Sequence, residues 1–452
     1  MNPIERRAAI SLALIYATRM LGLFMILPVF AIYAEQLVHV TPLMVGIAIG
    51  IYGLTQAVFQ IPFGTWSDRI GRKPVIIVGL ILFALGSVLA AVSESIYWVI
   101  IGRALQGMGA IASAVMALAS DLTREEHRTK VMAIIGASIG ASFMVALVVG
   151  PLLDGWIGVP GIFWVTALLA LLGIVVVVWL IPTPVNVSQD SILSKHVSFG
   201  AVIGDRQLIR LDIGVFILHM TLTSIFVVVP IMLRDQFSIP AMDHWQVYLS
   251  VLVISLILLV PTIILSEKFN LAKYAFLFAI VICGIGQLTM AWTENAFLLF
   301  FIAMVMFFWG FNFLEASLPS LVSKLSNPVS KGMSMGVFSS SQFLGAFCGG
   351  VIAGLIAQNF EQNTVFLFAF VMFLIWFLVA LSMQPPMGFK SHTVQLSTLQ
   401  ASQIDQVIND LRNIQGVAEV TLIAEERVAY LRVNKENFDE DAVKKYCAAL
   451  NM

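Results

Sequence analysis

The chain has 452 residues, of which 59% are hydrophobic and 11% charged, against roughly 25% charged in an ordinary soluble domain. So sparse a polar complement cannot cover a soluble globule of this length, and a net charge of −1 gives no reason to expect a nucleic-acid partner. An apolar solvent removes the difficulty, and 32 Phe with 32 Gly suit lipid-facing bulk and close helix contacts.

In chain order, Glu5-Arg6-Arg7 precede an apolar run over 11–33, too long for a signal h-region of about 7–15 residues, so it reads as a retained first membrane helix. A crossing needs about 20 mostly apolar residues. Twelve segments meet that requirement, near 11–33, 44–66, 74–92, 98–120, 131–153, 161–181, 208–232, 245–265, 273–291, 296–320, 333–356 and 363–383. With the N-terminus cytoplasmic, fifteen lysines and arginines of the membrane portion fall on that side and only Arg234 on the other, a strong positive-inside bias. The longest internal connection, 182–207, splits the spans into six-helix blocks at 1–181 and 208–383, as an internally repeated transporter would be split.

Past Pro385-Pro386 the composition turns polar. Residues 384–452 read as a small cytoplasmic α+β unit of order βαββα, most of a ferredoxin-like domain. Its strands are expected near 393–396, 417–423 and 427–433, and its helices near 402–414 and 439–449. Cys283, Cys348 and Cys447 show no metal or redox spacing, so no metal and no cofactor is expected. Small metal-binding domains share the topology of the C-terminal unit, but its lone Cys447 argues against a paired-cysteine site. Self-association or a regulatory ligand is the role open to it.

Charged groups at membrane depth are costly and therefore candidates for function. Arg19 lies about 12 Å into helix one, where it could line a central cavity, pair across the two halves or play a purely structural role. Arg103 stands in helix four with Gln106 on nearly the same face and Gly107 beside it. Asp212 and His219, seven apart on helix seven, could form a hydrated pair, and Glu315 is the carboxylate most clearly embedded in a late helix. A carboxylate there can be neutral or ionised with hydration, which proton coupling requires. Gly150-Pro151 marks a bend in helix five.

Between helices two and three runs Gly64-Thr65-Trp66-Ser67-Asp68-Arg69-Ile70-Gly71-Arg72-Lys73, a tight turn with one acid among three bases. Asp68 could meet a helix N-terminus, and Arg72 has Asp121 on its own side as a partner. This loop resembles the signature of the major facilitator superfamily. Arg103, Gln106 and Gly107 are similar to the helix-four motif of its drug:proton antiporters, and Gly150-Pro151 to the core of their helix-five motif. Asp154-Gly155 departs from the paired glycines expected there, and a second copy of the loop at 261–273 is degenerate. The resemblance implies a twelve-helix transporter of a bacterial inner membrane, with both termini cytoplasmic and alternating access between the halves. It also implies a conformational latch of Gly64, Asp68, Arg69, Gly71, Arg72 and Asp121, with Asp68 near the start of helix eleven and Arg103 in proton coupling.

The expected activity is proton-driven efflux of a hydrophobic or amphipathic small molecule through the lipid-embedded fold. Transport of a specific polar metabolite, or a membrane sensor signalling through the C-terminal domain, are the alternatives. No phosphate-binding glycine loop or catalytic cluster points to an ATP-driven pump or an enzyme. Protons fit better than sodium as the coupling ion.

Overall fold

The computed structural model describes residues 1–182, 204–269, 271–293, 296–326, 331–383, 389–395, 404–423, 428–434 and 438–450. The long connection, Lys195 included, lies for the most part outside the described residues.

Helix α1 (Pro3–Phe24) starts on a capping box, the Asn2 side chain accepting from the Glu5 N–H while Glu5 accepts from that of Asn2. It breaks at Met25-Ile26, and α2 (Leu27–Ala34) resumes with Pro28 in its first turn, where a missing N–H costs nothing. Next come α3 (Pro42–Ile70) and α4 (Arg72–Ala91), joined at Gly71 with φ 100° and ψ 153°, backbone values open only to glycine. The fourth apolar stretch also breaks, into α5 (Ile96–Met108) and α6 (Ala112–Asp121) around Gly109. Helix α7 (Glu125–Val175) continues as a π-helical turn to Leu180. It passes through Pro151 and Pro160, and its non-helical residue is Gly158 at φ 68°, ψ 171°.

The later helices are α8 (Arg206–Asp235), α9 (His244–Lys268), α10 (Ala272–Ala291), α11 (Phe297–Leu325), α12 (Lys331–Asn359) and α13 (Asn363–Leu381). Among the described residues, eleven helical stretches are long and apolar enough to cross a membrane. One of them, Lys130–Leu180, has 51 residues, about 76 Å of straight helix against a hydrocarbon core of roughly 30 Å, and Gly158 lies in its interior.

The two groups of helices carry a repeat offset of 200 residues. Helices α4 and α10 each have 20 residues and begin at 72 and 272. Lys73 Nζ donates to the Ile181 carbonyl at 2.7 Å, and Lys273 Nζ to that of Leu381 at 3.2 Å. In both places a basic group meets the carbonyls that end a later apolar stretch.

Helices α1–α7 and α8–α13 meet broadly where α3 runs against α12. The contact belongs to the first half of α3 and the second half of α12: Gly46 faces the Gly350 carbonyl, Gly50 that of Phe347, Gly53 that of Phe343, and Gly354 that of Pro42. Small residues let the two backbones touch, the usual solution between helices in lipid. At the other ends, Gly136 and Gly140 of α7 and Gly332 and Gly336 of α12 would offer an added Cβ nothing within 4 Å. The helix groups are thus closed at the end holding Pro42 and Asn359 and apart at the end holding Ile70 and Lys331.

Beyond α13, strands β1 (Phe389–Gln395), β2 (Val417–Ile423) and β3 (Val428–Asn434) form an antiparallel sheet in the order β1-β3-β2. Helices α14 (Ile404–Arg412) and α15 (Glu440–Leu450) accompany it. Alternate strand residues Ala429, Leu431 and Val433 bury with Val407, Leu411 and Val443. The Tyr446 hydroxyl donates to Asp410 at 2.8 Å, linking the two helices. The side chain of Cys447 lies outside the described residues.

Candidate functional site

Three groups of polar side chains sit in or beside the helices. The first surrounds the turn at Gly71. Arg72 donates through Nε to Asp121 at 3.2 Å, and through Nη1 to the Ser67 hydroxyl at 2.8 Å and to Asp68. Arg72 thereby ties the ends of α3, α4 and α6. Gly64 lets Ser113 of α6 approach to 3.1 Å of its virtual Cβ, and Arg69 is exposed in the last turn of α3, where a cation meets the negative helix end. The N-cap of α4 is Gly71, with no side-chain cap. Asp68 therefore does not cap a helix. It sits in the preceding helix four residues before Arg72, an i,i+4 pair continued across the turn. Among the described residues its ion pair is with Arg72, and no hydrogen bond or ion pair joins it to the start of α12.

The second group is buried among the N-terminal helices. Arg19, 2% exposed, donates through Nη2 to Gln56 at 2.6 Å and to the Gly109 carbonyl at 2.8 Å. That carbonyl lies in the break between α5 and α6 and also accepts from the Ile111 N–H at 2.9 Å. Arg103 donates to Gln106 at 2.9 Å and to the carbonyls of Ala48 and Ile49 at 3.3 and 3.4 Å, and Gln106 donates on to Ser87 at 2.7 Å. The two guanidiniums lie 5.8 and 5.5 Å from the ring centre of Tyr52, within cation–π range. The expectation that Arg19 pairs across the halves or lines a central cavity is corrected: its partners belong to α3 and the α5–α6 break, and its side chain is enclosed. Gly107 packs against the Tyr52 carbonyl, and Gly150 against that of Met25, at the break between α1 and α2.

The third group joins α8, α11 and α12. His219 Nε2 lies 2.7 Å from Gln342 Nε2 and 3.5 Å from Glu315 Oε2, and Gln342 reaches Glu315 Oε1 at 3.5 Å. His219 Nδ1 faces the Val215 carbonyl at 3.2 Å; with the proton of the neutral ring on Nδ1, Nε2 is an acceptor for the Gln342 amide. A second proton on Nε2 turns the 3.5 Å contact with Glu315 into an ion pair and requires Gln342 to present its oxygen instead. The expected Asp212–His219 pair is not formed. Seven residues put both on one face of α8 but about 10.5 Å apart along its axis, and His219 turns to Glu315. Asp212 instead lines a cavity of about 320 Å³ with Ile209, Ile213, Phe216, Val337 and Ser341.

Those three groups each stay within one set of helices, and a polar link between the sets lies at the closed end. Arg234, at the end of α8, makes a two-toothed contact with Glu35, just past α2, at 2.7 and 2.9 Å. Its own neighbour Asp235 holds the guanidinium in place at 2.6 and 3.0 Å. No sequence pattern connects residues 199 apart. The available signal was that each directly follows an apolar run. Glu5 was missed likewise: its buried carboxylate accepts from Arg124 at 2.9 Å, tying the start of α1 to the start of α7. Among the described residues no group of three His, Cys, Asp or Glu could hold a metal ion.

Long apolar helices, touching glycine backbones closed at one end only, and ionisable groups at membrane depth define a multi-pass transport protein. Its sequence matches the Major Facilitator Superfamily model over residues 12–211 and 211–414, and the chain belongs to that superfamily of secondary transporters. It is 42% identical over 439 residues to the inner membrane transport protein YajR of Escherichia coli (strain K12), covering 96% of each chain. It is 35% identical over 350 residues to the uncharacterized transporter BU466 of Buchnera aphidicola subsp. Acyrthosiphon pisum (strain APS), covering 76% of this chain and 89% of the relative. Among solved structures, a bacterial homolog of the human lysosomal transporter Spinster, inward-facing and occupied, superposes with a TM-score of 0.68 at 14% identity, covering 84% of this chain and 97% of the other. The protein is a non-enzymatic, multi-pass inner-membrane transporter.

Proposed function

We propose that the chain exports hydrophobic or amphipathic compounds in exchange for protons by alternating access between two six-helix halves. The observation that carries this reading is the His219–Glu315–Gln342 cluster. Three residues on three helices share a site where one proton changes both an ion pair and the sense of a hydrogen bond. The 200-residue offset of the lysine contacts supports the twofold division, and counting Lys130–Leu180 as two crossings either side of Gly158 makes twelve. The bias of basic loops toward the N-terminal side supports cytoplasmic termini. On that orientation the open end faces the cytoplasm, ready to load.

Around this core, Arg72 with Asp68 and Asp121 acts as a latch that engages α12 when the open end closes. Gly64, Arg69 and Gly71 shape its turn, and Arg103 with Gln106 and Gly107 steadies α5 against α3. Gly150-Pro151 lets α7 flex. The sheet order β1-β3-β2 and the two helices suit a ferredoxin-like cytoplasmic unit, with self-association or a regulatory ligand as its role. The test is collapse of a pH gradient in inside-out vesicles on adding lipophilic cations, neutral drugs or small metabolites. Compound-dependent proton flux that is lost in Glu315→Gln supports exchange. Flux that persists undiminished in that variant overturns the assignment of the proton site.

A further inference from the structure

We propose that the cavity beside Asp212 binds the cationic head of an amphipathic compound, an organic ammonium or phosphonium on an apolar body. Its volume of about 320 Å³ is within the range of small-molecule pockets. Ile209, Ile213 and Phe216 of α8 and Val337 of α12 supply apolar walls, Ser341 a hydroxyl, and Asp212 the one ionisable group. Among the described residues no hydrogen bond or ion pair reaches the Asp212 carboxylate. A carboxylate at such a place calls for a cation or a proton. The two arginines at membrane depth do not serve, since both are enclosed among the N-terminal helices around Tyr52.

Placement adds a second argument. Val337 and Ser341 precede the stretch of α12 that closes on α3, so the cavity lies toward the open end of the molecule. Ser341 adjoins Gln342, and Asp212 stands two turns before His219 on α8 with Phe216 between them. Cation and proton therefore occupy separate sites that share two helices. The site rests on the efflux reading for the origin of its ligand, but binding alone tests it.

The probe is radiolabelled tetraphenylphosphonium, in equilibrium binding to the full chain in nanodiscs of phosphatidylglycerol. Saturable binding is expected, weakened about tenfold or more in Asp212→Asn and kept within about threefold in Asp212→Glu. Ser341→Trp, which fills the cavity without touching the charge, should also lose the probe. Tetraphenylborate, the same shape with the opposite charge, should not compete. Binding is read without a pH gradient, so a failure of proton exchange and a failure of this site are told apart. Undiminished binding to folded Asp212→Asn, or competition by tetraphenylborate, overturns the proposal. Adding phosphatidylethanolamine separates a free compound from a lipid-borne amine. No competition supports the free compound, whereas competition that vanishes in Asp212→Asn gives the site to the lipid and overturns its role in substrate binding.

Discussion

Replacing Gly50 by alanine tests whether the α3–α12 contact is one side of a conformational equilibrium. An added Cβ would stand 2.8 Å from the Phe347 carbonyl oxygen and 3.0 Å from its Cα, where an ordinary carbon–oxygen contact needs about 3.3 Å. Both atoms are backbone, so no rotamer change relieves the clash and the helices must part by about 0.5 Å. Overpacking of this kind costs about 1–3 kcal/mol, a factor of roughly 5 to 150 against the state closed at this end. The gain in helix propensity from alanine, about 1 kcal/mol, applies to both states and cancels. Spin labels at Gln36→Cys and Ser238→Cys, both exposed near the closed end, in a background without native thiols, read the change as growth of a long-distance population. Gly336→Ala, with nothing within 4 Å of its Cβ, is the control and should leave the distribution alone. A folded Gly50→Ala protein with the parental distribution, or an equal shift in the control, would refute the reasoning.

Glu35→Gln removes the ion pair with Arg234 and should shift the same distances in the same direction. Because the pair is partly exposed, the effect should be about 1 kcal/mol at most and should fade with added salt, as a titration of the spin-label distances with sodium chloride would show. Gly158→Ala places a side chain at φ 68°, ψ 171°, which should cost about 1–3 kcal/mol and lower the melting temperature of the purified protein. Gly140→Ala, on the same helix with open space around it, should not. Asp121→Asn removes one carboxylate from Arg72 and should reduce compound-dependent proton flux in vesicles while leaving tetraphenylphosphonium binding intact.

What the sequence made legible follows from how local each signal is. Hydropathy located the membrane helices, because a run of about 20 apolar residues is its own evidence. Charge spacing brought Arg72 to Asp121. The breaks at Met25-Ile26 and Gly109 were not legible, since apolar residues flank both and leave the hydropathy unbroken, although Pro28 and Gly109 carried the backbone signal. The seven-residue spacing of Asp212 and His219 reported their shared face correctly, but face is not distance. The partner of His219 came from α11, 96 positions away, and Gln342 of α12 drew no notice as an uncharged residue. The Glu35–Arg234 contact joins two helix groups and exists in one arrangement of them, so no single stretch of sequence encodes it.

These elements combine in α12. Gln342 meets the proton site, Gly345 and Gly349 pack on the carbonyls of Phe216 and Met220 in α8, and Gly350 and Gly354 close against α3. Under the proposed proton exchange, a proton on His219 Nε2 would require the Gln342 amide to reverse, and Gln342 stands on the helix whose far half seals one end. A ligand or proton shifts a conformational equilibrium only by its difference in affinity for the two states. If α12 is the coupling element, Gln342→Glu, which accepts but cannot donate when ionised, should break the present contact with His219 Nε2. It should shift the spin-label distances at Gln36 and Ser238 without any change at the glycines. An unchanged distribution in the folded variant would place the coupling on another helix.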